Sequence, residues 1–492
     1  MKRLTAVLLL LSMLAGTFAG CSDNSANSDE PAADNTTTPS AEEAAEEEET
    51  VLTDGLPDTD MKGFELNILH HSQEWLAWAN NVLEAEEQTG EILNDSIYNR
   101  TDVLQERFNA KILTETRSQV GTDVISQLAM SGDTSYDLCM TYDLWITGMI
   151  QYLADMQTLP YISLDKAWWN PYASSIFVIG GKQYAASGNF SLSVLSRAGG
   201  YAFNQNIVSE LNLTSPYEYV KNNQWTIDNM YAMADAANLD INGDGQQTSD
   251  DQFGIESSVK EHFLRMMFGS EVALITQDET GFPVFNLPSD EVAVTKMQHI
   301  LDLSSNGGWY NTTSDNVDGT DAMMAGTFKN GRCLFVTSNP HSLSSIRDYD
   351  FNVGFVPVPK YDENQERYYA PSFGAELSIL PKSYDANSIE YSGMLLEAMA
   401  FYTQQNIVPQ YTETLVKSKY ARDAESAEML TICFDSIYFD FGINAWQEQV
   451  AAKLLKGSFV GLKGNFGSVL KGMQKSVDAS IKTLAKQIEK AG

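Results

Sequence analysis

Basic residues are scarce in this chain of 492 residues: 31 Lys and Arg stand against 66 Asp and Glu, a net charge of −35. Such a balance argues against nucleic acid and against adhesion to anionic lipid as partners. Cysteine and histidine are also few, at four and five. No cysteine stands in CxxC spacing, so neither a zinc site nor a disulfide framework is indicated, and Cys139, Cys333 and Cys433 are expected as small buried apolar residues. His70 and His71 adjoin, but neighbours on a strand point to opposite faces, which argues against a metal pair. Absent too are GxSxG, HExxH and a phosphate loop, so the familiar nucleophile and metalloprotease signatures are missing.

What is present begins at the amino terminus. Lys2 and Arg3 precede the apolar run "LTAVLLLLSMLAGTFAG", too short for a stable transmembrane helix and laid out as a secretory signal. The run ends at Cys21 in "FAGC", which resembles a bacterial lipobox, with Phe18 where that motif usually has leucine. The resemblance implies that residues 1–20 are removed and that Cys21 receives a diacylglycerol, tethering the protein to the outer face of the cytoplasmic membrane. The competing reading is an ordinary cleaved signal with an incidental cysteine. Residues 21–58 continue as a leash: 22–50 contain no aromatic residue, no Lys and no Arg, and cannot bury enough surface to fold. A partner-binding acidic tail is the sharper alternative to a spacer.

The remaining body of about 440 residues exceeds what one core usually organises and suits two lobes. "FELNILHH" reads as a buried strand, and "DSIYNRTDVLQERFN" sets Ile97, Leu104 and Phe108 on one helical stripe. "AKILTET", "VISQLAM" and "YDLCMTY" continue strand, helix, strand, which predicts an α/β fold with parallel strands covered by helices and ligands at their carboxyl ends. Near the end, Val469, Met473, Val477, Ile481, Leu484 and Ile488 form an apolar helical stripe, with Lys471, Lys475, Lys482, Lys486 and Lys490 largely outside it. Packing against the chain's own acidic body is the economical reading, and a membrane-surface helix the alternative.

The second half carries a more specific likeness. "AMMAGTFKNGRCLFVTSNPHSL" and "FNVGFVPVPKYDENQERYYAPSFGAELSILPKSYDANSIEYSGMLLEAMAFYT" resemble the carbohydrate-type extracellular solute-binding proteins of ABC importers. The upstream "YLADMQTLPYISLDKAWWNPYASSIFVIGGKQYAASG" resembles that family's first crossing between lobes. The resemblance implies a two-lobed, periplasmic-binding-protein-like fold joined by a hinge of crossing segments, with lobe 1 in 59–163 and 318–372 and lobe 2 in 164–317 and 373–492. It further implies a monomer without catalytic function, which closes on a sugar or oligosaccharide and presents it to permease subunits, touching the membrane through its anchor alone.

Sugars offer C–H faces to aromatic rings and hydroxyls to planar polar groups, so the search is for both at strand ends. "HHSQEW" offers His71 and Trp75, with Trp78 beyond; "TYDLW" offers Tyr142, Asp143 and Trp145; "VTSNPH" offers Ser338, Asn339 and His341. Asn189 and Phe190 in "SGNFS", Trp309 in "GGWY", and Phe373 and Glu376 in "PSFGAE" complete the set. For each of these, core packing competes with ligand contact. Trp168 and Trp169 in "WWNP" are expected to fix the path of a crossing, and Trp225 to staple a helix capped by Thr226. Two rival functions stand beside import. One is a glycan-binding lipoprotein without a transporter; the other is a glycoside hydrolase, for which Asp143 and Glu376 are the candidate carboxyl pair.

One loop has the oxygen register of a calcium site. From Asp240 as position one, Asn242 falls at three, Asp244 at five, Gly245 at six, Gln246 at seven through its carbonyl, Thr248 at nine and Asp251 at twelve. Three carboxylates in one short loop repel without a cation, so calcium is the expected cofactor, stiffening the loop rather than signalling. A solvated acidic turn is the alternative.

Overall fold

The computed structural model describes residues 53–77, 83–305, 309–311, 326–343, 345, 349–417, 424–446, 450–454 and 463–491. The signal, Cys21 and most of the leash therefore lie outside the described residues, as does Trp78. In chain order the principal strands are β1 (Phe64–His71), β2 (Ala110–Arg117), β3 (Leu138–Tyr142), β4 (Gly200–Asn204), β5 (Phe253–Ser257) and β6 (Trp309–Asn311). They continue as β7 (Cys333–Ser338), β8 (Val353–Pro357), β9 (Ala370–Pro371), β10 (Glu376–Ile379) and β11 (Ile437–Tyr438). The helices used below are α1 (Ile92–Phe108), α2 (Thr122–Ser131), α3 (Ile227–Ala237), α4 (Val259–Gly269), α5 (Ile389–Tyr402), α6 (Val408–Lys417), α7 (Ala424–Asp435) and α8 (Phe466–Ala491).

Two sheets organise the body. The first has the order β10-β3-β1-β2, with β1 parallel to β2 and β3, and β10 antiparallel to β3. The second has the order β6-β5-β7-β4-β8, in which β4 runs antiparallel to both neighbours. The expected parallel pattern thus holds where a helix returns the chain, as α1 does between β1 and β2. It fails at β4 and β10, which enter from a crossing; without a helical return, a strand is free to run the other way.

Strand pairing also redistributes the segments. Residues 318–372 were expected with lobe 1, yet β7 and β8 pair in the sheet of β4 and β5. Residues 373–492 were expected with lobe 2, yet β10 pairs with β3, and α5 packs on β1 and α1. The physical reason is register over distance: Glu376 lies opposite Tyr142, a partner that local periodicity cannot specify.

Helix α1 shows how the local pattern becomes packing. Glu91 caps it by accepting from the Asn94 N–H at 2.8 Å, and Asn109 ends it in the left-handed region at φ 46°. Its buried stripe contains Ile97, Leu104 and Phe108 as the spacing predicts, and also Arg100, which is fully buried. The Arg100 guanidinium donates to Phe190 O at 2.9 Å, to Thr403 Oγ1 at 3.0 Å and to Leu83 O. Burial lowers its pKa to about 10, so it stays a cation held by neutral oxygens. Trp225 is fully buried with its indole N–H on Pro357 O at 2.7 Å, and Thr226 caps α3, as expected.

Helix α8 buries Met473, Val477 and Leu484 and packs on residues 150–152, which follow β3, and on 287–303, which lie between β5 and β6. No described helix is long and apolar enough to cross a membrane. Cys139, Cys333 and Cys433 are buried free thiols.

Three connecting segments lie side by side between the sheets. β9 pairs with β11, the Gly199 N–H donates to Pro371 O at 2.9 Å, and Ser372 N–H donates to Tyr438 O at 3.1 Å. A Cβ at Gly199 would stand 2.7 Å from Pro371 O, so this close approach requires glycine.

Candidate functional site

The site is built at the carboxyl ends of β1 and β3, where an α/β sheet exposes side chains without needing them for strand pairing. After His71 the chain turns at once, with the Trp75 N–H on Ser72 O at 3.1 Å, and this turn folds Trp75 back over the imidazole. The two rings stack with centroids 4.7 Å apart and planes at 26°. Beyond β3, one 3₁₀ turn (Asp143–Trp145) swings Trp145 to 5.1 Å from Trp75, 5.4 Å from Tyr142 and 5.6 Å from His71. Tyr142 meets Trp75 edge-on at 5.5 Å. His71 is fully buried, while Trp75, Tyr142 and Trp145 are half-buried. Burial lowers the His71 pKa to about 4, and the Val120 N–H donates to its Nδ1 at 3.2 Å, so at neutral pH the cluster is four uncharged rings.

Trp145 also borders a groove of about 510 Å³ running between Trp446 and α8. Thr122, Thr147, Ser480, Thr483 and Gln487 supply its polar groups, and among the described residues none of its lining side chains is ionisable. Its volume falls within the range of about 300 to 1,000 Å³ typical of ligand sites. Trp446 was not singled out from sequence, because nothing around "NAWQEQ" marks a strand end.

The carboxylates beside the cluster are engaged structurally. Glu376 is 1% exposed; its Oε1 accepts the His71 N–H at 2.7 Å, and its own N–H donates to Ser193 Oγ at 2.9 Å. Asp143 is fully buried, and its Oδ2 accepts from the Gly374 N–H at 3.0 Å and Asn444 Nδ2 at 2.8 Å. Burial raises the Asp143 pKa to about 7 against the pull of those bonds. One oxygen of each carboxylate thus ties a strand end to a crossing segment.

Behind them lies a cationic centre that the sequence did not announce. Arg197, 8% exposed, donates from Nε to Phe373 O at 3.1 Å. Arg265 of α4 lies 5.9 Å from the Phe373 ring, pairs with Glu261 one turn earlier, and donates to Ser338 O at 3.3 Å. Burial, then the charge of Arg197, lowers the pKa of His341. Ser338, His341 and Phe373 therefore gather around these arginines, while the Asn339 side chain caps the short helix Pro340–Leu343 by accepting from Ser342. An arginine in "LSRAGG" is missed by a search for aromatics at strand ends, since it precedes β4.

Other sequence candidates lie elsewhere. Asn189 bonds Asn170 and Gln404, apart from the ring cluster, and Phe190 packs edge-on against Trp169 at 5.8 Å. Trp309 falls in β6, and its side chain is outside the described residues. Trp168 and Trp169 are buried, and both indole N–H groups donate to the Glu397 carboxylate, at 2.9 and 2.7 Å. That arrangement fixes the crossing against α5.

In the acidic loop the carboxylates face the loop's own amides. Asp240 accepts from the N–H groups of Gly243 and Gly245, Asn242 Oδ1 from Asp244, Asp244 Oδ1 from Gln246, and Asp251 from Ile241 and Thr248. Gly245 sits at φ +77°, the sharp turn its position predicts. Among the described residues, no three His, Cys, Asp or Glu side chains converge as a metal-holding group.

No protein-family model and no curated relative matches the chain. Its fold is similar to that of UspC from M. tuberculosis, with a TM-score of 0.56 at 12% identity, covering 85% of this chain and all of that one. Two further solved structures align more distantly. An ABC substrate-binding protein from Listeria monocytogenes in complex with cycloalternan gives a TM-score of 0.47 at 13% identity, covering 87% of this chain and 99% of that one. A cyclic alpha-maltosyl-1,6-maltose binding protein from Arthrobacter globiformis gives 0.48 at 15%, covering 87% and 100%. At these identities the likeness is one of fold: α/β, two-lobed and periplasmic-binding-protein-like.

Proposed function

We propose that this chain is an extracellular solute-binding protein that captures a sugar or oligosaccharide at the ring cluster and delivers it to an ABC permease. The observation that carries the reading is the uncharged four-ring cluster of His71, Trp75, Tyr142 and Trp145, whose Trp145 borders a groove lined, among the described residues, by tryptophan, hydroxyls and one amide. Aromatic faces receive the C–H faces of a pyranose, and hydroxyls and amides exchange hydrogen bonds with its hydroxyls. The two-lobed fold supports capture by hinge closure about the β9–β11 segments. Engagement of Asp143 and Glu376 with backbone and amide groups supports binding without bond cleavage.

Cys21 carries the lipid anchor in this reading, and mass spectrometry of the amino-terminal peptide tests for the diacylglycerol. Calcium is the proposed ligand of Asp240, Asn242, Asp244, Gln246 and Asp251, in the affinity range of about 10⁻⁴ to 10⁻³ M usual for extracellular modules. The deciding experiment is titration calorimetry of the purified chain against mono- and oligosaccharides, with chromatography of the sugar afterwards. Saturable heat with the sugar recovered intact upholds the proposal. Silence across all sugars, or recovery of cleaved products, overturns it.

A further inference from the structure

A second cavity, of about 230 Å³, opens on the side where Asn189 lies. Its walls come from elements of both sheets. Gln404 and Val408 follow α5, which packs on β1, while Phe434 and Asp435 end α7, which packs on β8. Gln404 is carried on a π-helical turn, Thr403–Ile407, a geometry that is rare and concentrated at functional sites.

The polar groups are prepared in sequence. Asn170 Nδ2 donates to Asn189 Oδ1 at 2.6 Å, and Asn189 Nδ2 donates to Gln404 Oε1 at 2.6 Å. This orients the chain of carboxamides so that the Gln404 amide nitrogen is left as its terminal donor. Opposite, the Arg367 guanidinium lies 3.9 Å from the Tyr172 ring centroid and donates to the Asp435 carbonyl at 3.5 Å. Among the described residues, one cation and one carboxyl group line the same cavity, which favours a neutral occupant rich in hydroxyls over an ion. The volume is below the range of about 300 to 1,000 Å³ for drug-sized ligands, which limits the occupant to a single ring.

We propose that this cavity is a second binding site, for a neutral polyol of one pyranose ring's size. Such an occupant would bridge the Gln404 side and the Arg367 side of the cavity.

The test is titration calorimetry with D-glucose, D-galactose, D-mannose and myo-inositol on the Trp75→Ala chain, with and without Gln404→Leu or Arg367→Lys. The expected result is saturable heat in Trp75→Ala that weakens at least about tenfold when either cavity substitution is added, with the ligand-free melting temperature unchanged. Arg367→Lys keeps the charge and removes the planar stacking, so it remains informative where Gln404→Leu alters folding. No saturable heat with any of the four compounds, or heat indifferent to both substitutions, overturns the second site. Oligosaccharide binding that Trp75→Ala abolishes, with no saturable heat from any of the four compounds in Trp75→Ala, upholds the proposed function while removing this inference.

Discussion

Trp168 and Trp169 on one side, and Trp75 and Trp145 on the other, are the same side chain in two physical settings. The first pair is buried to 5% and 0%, with both indole N–H groups on one Glu397 carboxylate. The second pair is half-buried, and its rings meet one another, His71 and Tyr142. A tryptophan whose ring and N–H are both satisfied inside the protein contributes to folding and has nothing left for a solute. One that keeps part of its face exposed at a strand end gives up stability and retains capacity to bind.

Truncation separates the two settings most sharply. Trp169→Ala should cost about 3 to 5 kcal/mol of folding free energy, read from urea denaturation, because it opens a cavity and leaves part of Glu397 unpaired. A loss under about 1 kcal/mol would mean that this pair is not an anchor. Trp75→Ala should show the reverse: sugar affinity falling about tenfold or more, about 1.4 kcal/mol, with little change in melting temperature. If instead it lowers the melting temperature markedly and leaves the affinity of the folded protein intact, the cluster is ordinary core.

A smaller effect concerns Asp143, which stands beside the ring cluster and joins the end of β3 to Gly374 and Asn444. Its folded pKa of about 7 lies above the unfolded value of about 4, so the native state holds this proton more tightly. Its stabilising contribution is complete below about pH 4 and is lost as pH rises through about 7. Asp440, also raised by burial to about 7, adds a parallel loss. Asp143→Asn should therefore reduce the fall in melting temperature between pH 5 and pH 8 without removing it; an unchanged fall would assign the dependence elsewhere. The smallest expected shift is calcium's: at ten times its dissociation constant it adds about 1.4 kcal/mol to stability. Asp240→Asn with Asp244→Asn should abolish that increment in a thermal melt, and an equal shift in the double variant would move calcium to another site.

Much of the ring cluster was legible because its members sit within a few residues of two strand ends, where periodicity and turn chemistry speak directly. His71, Trp75, Tyr142 and Trp145 were proposed together and are together. Asn189 was proposed with them and is not, since "SGNFS" resembles any polar turn after a strand. Arg197 and Arg265 gave no local signal. Their meaning depends on Phe373 and Ser338, residues well over a hundred or about seventy positions away.

The sequence by itself determined the acidic charge, the alternation of strands and helices, the stripes of α1 and α8, and the turn at Gly245. All of these depend on composition or on spacing within a few residues. Only the tertiary structure decided which sheet receives β7, β8 and β10, which tryptophans are sealed against Glu397, and which carboxylates are taken up by backbone amides. Those outcomes rest on pairings such as His71 with Glu376, 305 residues apart, where register and burial are settled by the packing of the whole chain.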